Sequence, residues 1–178
     1  MKKIFEWFVS IAIALLLLFI VRTFLFLGYV VDGESMEPTF HNKDRLIVNK
    51  LVKSFGEFDN GDVIVFHANK NADYIKRVIG LPGDTVEMKN NKLYINGTKV
   101  NESYLKDNET TDDFSTRTIQ GSKSDVIPND EYLVLGDNRN NSRDSREIGF
   151  VHNKDIVGKV SLRYFPFDDI DINFNSDK

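Results

Sequence analysis

From Trp7 to Val21 the chain reads WFVSIAIALLLLFIV without a charge, and past Arg22 and Thr23 it continues as FLFLGYVV. A helix rises 1.5 Å per residue, so about 20 residues cross a bilayer core of roughly 30 Å. The run 7–27 therefore predicts one transmembrane helix, with Arg22 near its distal end placed to snorkel to the interface. Two other segment types share this pattern. A secretory signal peptide has the same charged start and apolar run, but it ends in a small-x-small cleavage site, which VRTFLFLGYVV does not offer. A buried core helix is usually amphipathic and shorter. The expectation is an uncleaved anchor. Lys2 and Lys3 favour a cytoplasmic N-terminus over residues 1–6, which would place residues 32–178 outside.

Beyond the anchor the apolar positions come in short runs. RLIVNKL (45–51), DVIVFHA (62–68), YIKRVIG (74–80), TVEM (85–88), KLYING (92–97), EYLVLGD (131–137) and IVGKVSLRYF (156–165) are rich in Val, Ile, Leu and Tyr. Gly-Asp, Pro-Gly-Asp and Asn-Gly turns break them, as strands are broken. Asn90-Asn91 predicts a hairpin, because Asn tolerates positive φ. No long segment after residue 31 has helical periodicity. The polar stretch 101–127, poor in large apolar residues, reads as a mobile loop or small peripheral subdomain. The fold class expected is mainly β: a β-sheet domain behind one N-terminal transmembrane helix.

The 178 residues suit one membrane segment and one domain of about 140–150 residues. Residues 1–31 carry +2 and residues 32–178 carry −6. An acidic domain argues against a phosphate-binding nucleic-acid surface and against electrostatic adhesion to anionic lipid, both of which need clustered Lys and Arg. There is no cysteine, which excludes thiol catalysis, disulfides and cysteine-based zinc sites.

Candidate chemistry is concentrated in a few places. His41, His67 and His152 are scattered and share no metal-ligand spacing; a Ser-His-Asp triad built from distant residues stays open. DGESMEPTF (32–40) sets Ser35 between turn formers shortly after the membrane exit. YIKRVIGLPGD (74–84) places Lys76 inside an apolar strand-like run. Side chains alternate along a strand, so Lys76 shares a face with Tyr74 and Val78, and Arg77 takes the other. A lysine pressed against apolar neighbours loses hydration, its pKa falls, and it can accept a serine proton near neutral pH. The plainer alternative is an edge strand with both cations in solvent. GDNRNNSRDSREIG (136–149) is dense in hydrogen-bonding groups, in which Asp144 and Arg146 could pair and Ser142 or Ser145 could face a site.

Together these segments resemble a known family. Ser35-Met36-Glu37-Pro38-Thr39 matches an SMxPT box, Tyr74–Asp84 a YxKRxxGxPGD box and Gly136–Arg146 a GDNRxNSxDSR box, in register behind an N-terminal anchor. That set is similar to bacterial type I signal peptidases, in the compact form of Gram-positive bacteria. The resemblance implies a signal-peptidase-like fold and a serine endopeptidase that removes signal peptides from exported preproteins, cutting after small residues. It implies Ser35 as nucleophile and Lys76 as general base. Ser142 would orient the lysine ammonium, Asp144 and Arg146 would form a supporting salt bridge, and Met36 and Tyr74 would line the substrate cleft. Some relatives carry a serine two positions before the nucleophile that helps stabilise the oxyanion; Gly33 stands there in this chain, which leaves the Ser35 N–H and another donor for that task. The partners implied are preprotein signal peptides, presented at the lipid bilayer near the secretion translocon, with no nucleic acid. No metal or other cofactor is implied, because a Ser-Lys dyad needs none.

Two rival readings differ in class. One is a catalytically inactive relative that binds exported chains; such a copy tolerates loss of Ser35 or Lys76, and this chain has both. The other is a self-cleaving Ser-Lys regulator, against which the anchor and the lack of a DNA-binding helix pair both count.

Overall fold

The apolar runs become antiparallel strands because one side of each meets a core. The structure, a computed structural model, describes residues 2–20, 25–55 and 58–174. Helix α1 (Lys2–Ile20) is followed by strands β1 (Phe26–Val30) and β2 (Arg45–Asn49), the short helix α2 (Leu51–Phe55), and strands β3 (Val63–Asn69) and β4 (Ala72–Gly80). Next come β5 (Val86–Met88), β6 (Leu93–Ile95), β7 (Thr98–Val100), β8 (Phe114–Ser115) and β9 (Glu131–Leu135). The short helix α3 (Ser145–Ile148), β10 (Val151–His152) and β11 (Ile156–Phe165) complete the chain. A seven-stranded sheet runs in the order β1-β2-β11-β3-β4-β9-β10, and a four-stranded sheet in the order β7-β6-β5-β8.

Strand β2 buries Leu46 and Val48 and turns Arg45 outward, the alternation of a half-buried strand. Strand β4 departs from that pattern: all five residues from Lys76 to Gly80 are buried. Both faces of its C-terminal half are covered, so Lys76 and Arg77 are both buried. One core cluster joins Met36 and Phe40 to Leu46, Val48, Val63, Val65 and Val160. A second lies on β3, β4 and β9 around Phe66, Val78 and Val134. A third ties the small sheet to the large one, packing Val86, Met88 and Leu93 against Ile79, Leu133 and Leu135.

The hairpin expected at Asn90-Asn91 is present, with both residues at positive φ (49° and 57°) and reciprocal backbone bonds between Lys89 and Lys92. Three expectations need correction. The anchor was expected to run to Leu27, but Phe26 and Leu27 lie in β1, paired with Asn49 and Val48. Once a partner strand is available, ladder bonds satisfy this backbone as well as a helix would, and Tyr29 and Val30 favour the pleat. The run RLIVNKL ends as a strand at Asn49, whose side chain accepts from the Leu51 N–H as α2 begins. The segment 101–127 is tied into the domain: it supplies β8 and buries Thr111, Thr116, Ile119 and Ile127. Arg22 lies outside the described residues.

Candidate active site

The loop between β1 and β2 carries Ser35. Backbone bonds from Val31 N to Asp44 O (2.8 Å) and Lys43 N to Val31 O (2.9 Å) close its base. Gly33, exposed, sits at φ +104°, where a side chain would be strained, and its N–H donates to Asn42 Oδ1. The loop then docks on the segment after β9. Asn138 N donates to Ser35 O at 3.1 Å, and Asn138 Nδ2 donates to Glu34 O at 3.1 Å. Gly136 permits this approach, because a Cβ there would overlap both the Ser35 carbonyl and Ser142 Oγ. The backbone around Ser35 is thus fixed from both sides.

Lys76 comes from the middle of β4, opposite Ile64 of β3. It is only 3% exposed. Its Nζ lies 2.7 Å from Ser35 Oγ and donates to Ile75 O at 3.0 Å, with the Tyr74 ring 5.4 Å away. Burial pulls its pKa down from the usual lysine value to about 8, although the Asp144 and Asp137 carboxylates pull the other way. Serine and lysine meet at the floor of an open cleft of about 540 Å³. Met36, almost wholly buried, Val31 and Ile75 provide its apolar lining; Tyr29, Tyr74, Asn141 and Arg143 also border it.

Asp144 is fully buried and caps α3. Its carboxylate accepts from Arg146 Nε and Nη2 at 2.8 Å each and from Gly136 N at 3.0 Å. Arg146 Nη2 also donates to Arg139 O at 2.7 Å. The pair therefore braces the loop on which Ser35 rests. Asp144→Ala would leave Arg146 unpaired and the Gly136 N–H without its acceptor. Arg146 keeps some solvent contact, so the cost falls at the low end of that for a broken buried pair, about 3 kcal/mol. A drop in melting midpoint of about 6–12 °C should accompany reduced activity. Calorimetry showing an unchanged midpoint would mean that the pair does not hold the loop.

Ser142 departs from expectation. Its Oγ is buried with no hydrogen-bond partner among the described residues, and the Lys76 amine is turned to Ser35 and the Ile75 carbonyl instead. None of the histidines bonds Ser35: His67 pairs with Asp73 at 2.6 Å and His152 with Glu131 at 3.1 Å, while His41 engages Asp44 through its backbone N–H.

Sequence reasoning missed the buried polar layer behind the Ser35 loop. Arg77 does take the face opposite Lys76, but that face is closed too. Its guanidinium grips Asp137 through Nε (2.8 Å) and Nη2 (2.7 Å), and also bonds Gly61 O and Thr39 Oγ1. The Tyr104 ring lies against it, 3.9 Å from ring centroid to guanidinium carbon. Arg139, buried as well, bonds Glu102 at 2.6 Å. Asp137 and Arg139 stood inside a quoted motif, which was their one signal; Glu102 and Tyr104 had none.

The comparisons with known proteins point to one family. The family model described as "Signal peptidase, peptidase S26" matches residues 4–165. Signal peptidase IB of Staphylococcus aureus (strain MRSA252) is 49% identical over 183 residues, covering 98% of this chain and 96% of its own. Signal peptidase I P of Bacillus subtilis subsp. natto is 50% identical over 172 residues, covering 95% and 93%. Among solved structures, a signal peptidase I from Enterococcus faecalis V583 is 38% identical with a TM-score of 0.51, covering 58% of this chain and 96% of its own.

Proposed function

The chain belongs to the signal peptidase family, peptidase S26, and we propose that Ser35 and Lys76 carry out its reaction, the removal of signal peptides from exported preproteins. It is a type I signal peptidase, a serine endopeptidase. The observation that carries the residue assignment is the 2.7 Å contact between Ser35 Oγ and a lysine whose pKa burial holds near 8, at the floor of an open cleft. Ser35 Oγ attacks the scissile carbonyl as its proton passes to Lys76 Nζ. The Ser35 N–H, which donates to no other group among the described residues, is free to meet the oxyanion. Collapse of the intermediate expels the new amine terminus, protonated by Lys76, and leaves an acyl-enzyme on Ser35. Water, deprotonated by the same lysine, then hydrolyses the ester. Asp144 and Arg146 hold the loop beneath. Val31, Met36 and Ile75 form a shallow apolar surface suited to small side chains before the cut. A preprotein with alanine at the first and third positions before its cleavage site, incubated with the detergent-solubilised protein, should yield the mature form; no product under conditions that keep the protein folded would reject the reading.

Among the described residues no helix is long and apolar enough to cross a membrane. The anchor reading rests on two other features. Large apolar side chains of α1, among them Phe5, Trp7, Phe8, Leu15 and Phe19, are exposed around the helix rather than along one side. In the sequence, residues 7–21 also run without a charge. A single-pass anchor with its N-terminus inside and β1 starting at the outer surface sets the cleft within reach of a signal peptide still embedded in lipid. Protease added to intact protoplasts should digest the domain 32–178; complete protection of a domain that is digested after lysis would reverse the orientation.

A further inference from the structure

The Ser35 loop has a back as well as a cleft side, and the last part of the chain covers that back. Past β11 the chain turns through 167–169, and Asp171 pairs with Arg163 through backbone bonds in both directions (2.8 and 3.1 Å). This return carries Phe174 into the core cluster that holds Met36 and Phe40, where its ring centroid lies 4.7 Å from that of Phe40. The Phe174 carbonyl accepts from Arg77 Nη1 at 2.6 Å. Arg77 is the residue after Lys76, and its other bonds reach Asp137 and Thr39. A second clamp acts beside it: Asp169 holds Arg163 through its carbonyl (2.8 Å) and its carboxylate (2.7 Å), and Arg163 Nη1 donates to Thr39 O at 2.7 Å.

Three separate contacts of the tail thus converge on residues 36–40, directly after Ser35. A ring packs on Phe40, a carbonyl completes the shell of a fully buried guanidinium, and an acidic residue steers a second arginine onto the loop. In sequence the same stretch, FDDIDINF, is a short acidic end beyond the last strand, with nothing to mark it as part of a site. Misplacing a nucleophile by about 1 Å can cost about 10²-fold in rate without unfolding anything. A buried donor that loses its acceptor pulls on whatever it still holds.

We propose that residues 169–174 are a positioning element for the peptidase reaction, with Phe174 keeping the Ser35 loop in register with Lys76. This rests on the assignment of Ser35 and Lys76 as the reacting pair. The test uses full-length protein with F174L and F174A, and a chain lacking residues 173–178. Each is assayed for kcat and KM on a preprotein peptide, for the pH dependence of kcat/KM, and for melting midpoint. F174L, which still fills the core, should stay within about threefold of wild type. F174A keeps the carbonyl but loses the ring; its kcat should fall about tenfold while KM stays within about twofold. The truncated chain loses both contacts, and its kcat should fall about 100-fold. The acid limb of the pH profile should stay in place, because the base remains the same. Wild-type kcat per folded molecule in F174A would overturn the proposal, as would a loss shared equally between kcat and KM. If the truncated chain does not fold, F174A alone decides. Wild-type activity in Ser35→Ala in the same assay would reject the Ser35–Lys76 assignment itself, an outcome separate from failure of the tail.

Discussion

Ser35→Ala should abolish preprotein processing, lowering kcat by about 10⁴-fold or more, while the protein still folds and inserts. Loss of a nucleophile removes the acyl-enzyme route altogether, whereas loss of a positioning group only degrades it. The fold should tolerate the change because the loop is held by its backbone. Ser35 O accepts from Asn138 N, and Glu34 O from Asn138 Nδ2, and neither contact involves the hydroxyl. What is lost is one hydrogen bond to Lys76, which keeps the Ile75 carbonyl as an acceptor. Such a loss costs on the order of 1 kcal/mol. The measurement is single-turnover cleavage of a labelled preprotein, with the melting midpoint taken on the same sample. Cleavage at the wild-type rate would move the nucleophile elsewhere. Ser142 would be examined first, since its buried hydroxyl has no partner among the described residues.

The large strands were legible because their buried positions are filled mostly by Val, Ile and Leu, in alternation or in short runs. All seven of the runs read as strands contain one. Strand β1 was hidden because its residues continue the apolar anchor without a polar break, so hydropathy alone could not locate the change from helix to strand. Strands β7, β8 and β10 hold a single large apolar residue each, which marks no run. Helix α3, four residues long, is too short to show a period, though Asp144, which caps it, marked its start. The proposed reacting pair, Ser35 and Lys76, was legible as two motif positions, and strand alternation correctly separated Lys76 from Arg77. Alternation says which residues share a face but not whether that face is covered. Arg77 is buried because the Ser35 loop, Tyr104 and the chain's end close over it, and those contacts span 38, 27 and 97 residues of sequence. Buried polar partners at such separations have no periodic signature. The same holds for Arg139 and Glu102, whose ion pair ties in a polar segment expected to be a mobile loop or a small peripheral subdomain.

Lys76 should work as a neutral amine, and the pH dependence of activity should show it. With a pKa of about 8, about one molecule in ten holds the free base at pH 7, against about one in three thousand for an ordinary lysine. kcat/KM should therefore rise about tenfold per pH unit below this pKa and level off above it. Entry of substrate drives out more water and should move the limb for kcat lower still. The same burial affects stability, with a definite sign. The folded chain holds this proton less tightly than the unfolded chain, so at neutral pH the fold bears a cost of about 3 kcal/mol. Stability should rise as pH climbs from about 8 toward the ordinary value of 10.5, where both states become neutral and the cost disappears. Lys76→Met removes the buried charge, so it should be inactive and no less stable than wild type at pH 7. Lys76→Arg should also be inactive, because a guanidinium stays protonated and does not fit the space of an amine. Lys76→His, with a base of lower pKa on a shorter reach, should retain slight activity. Full activity in Lys76→Arg would show that the site needs a positive charge and not a base. His67, paired with Asp73 at the edge of the same cleft, would then be the first histidine to test as proton acceptor.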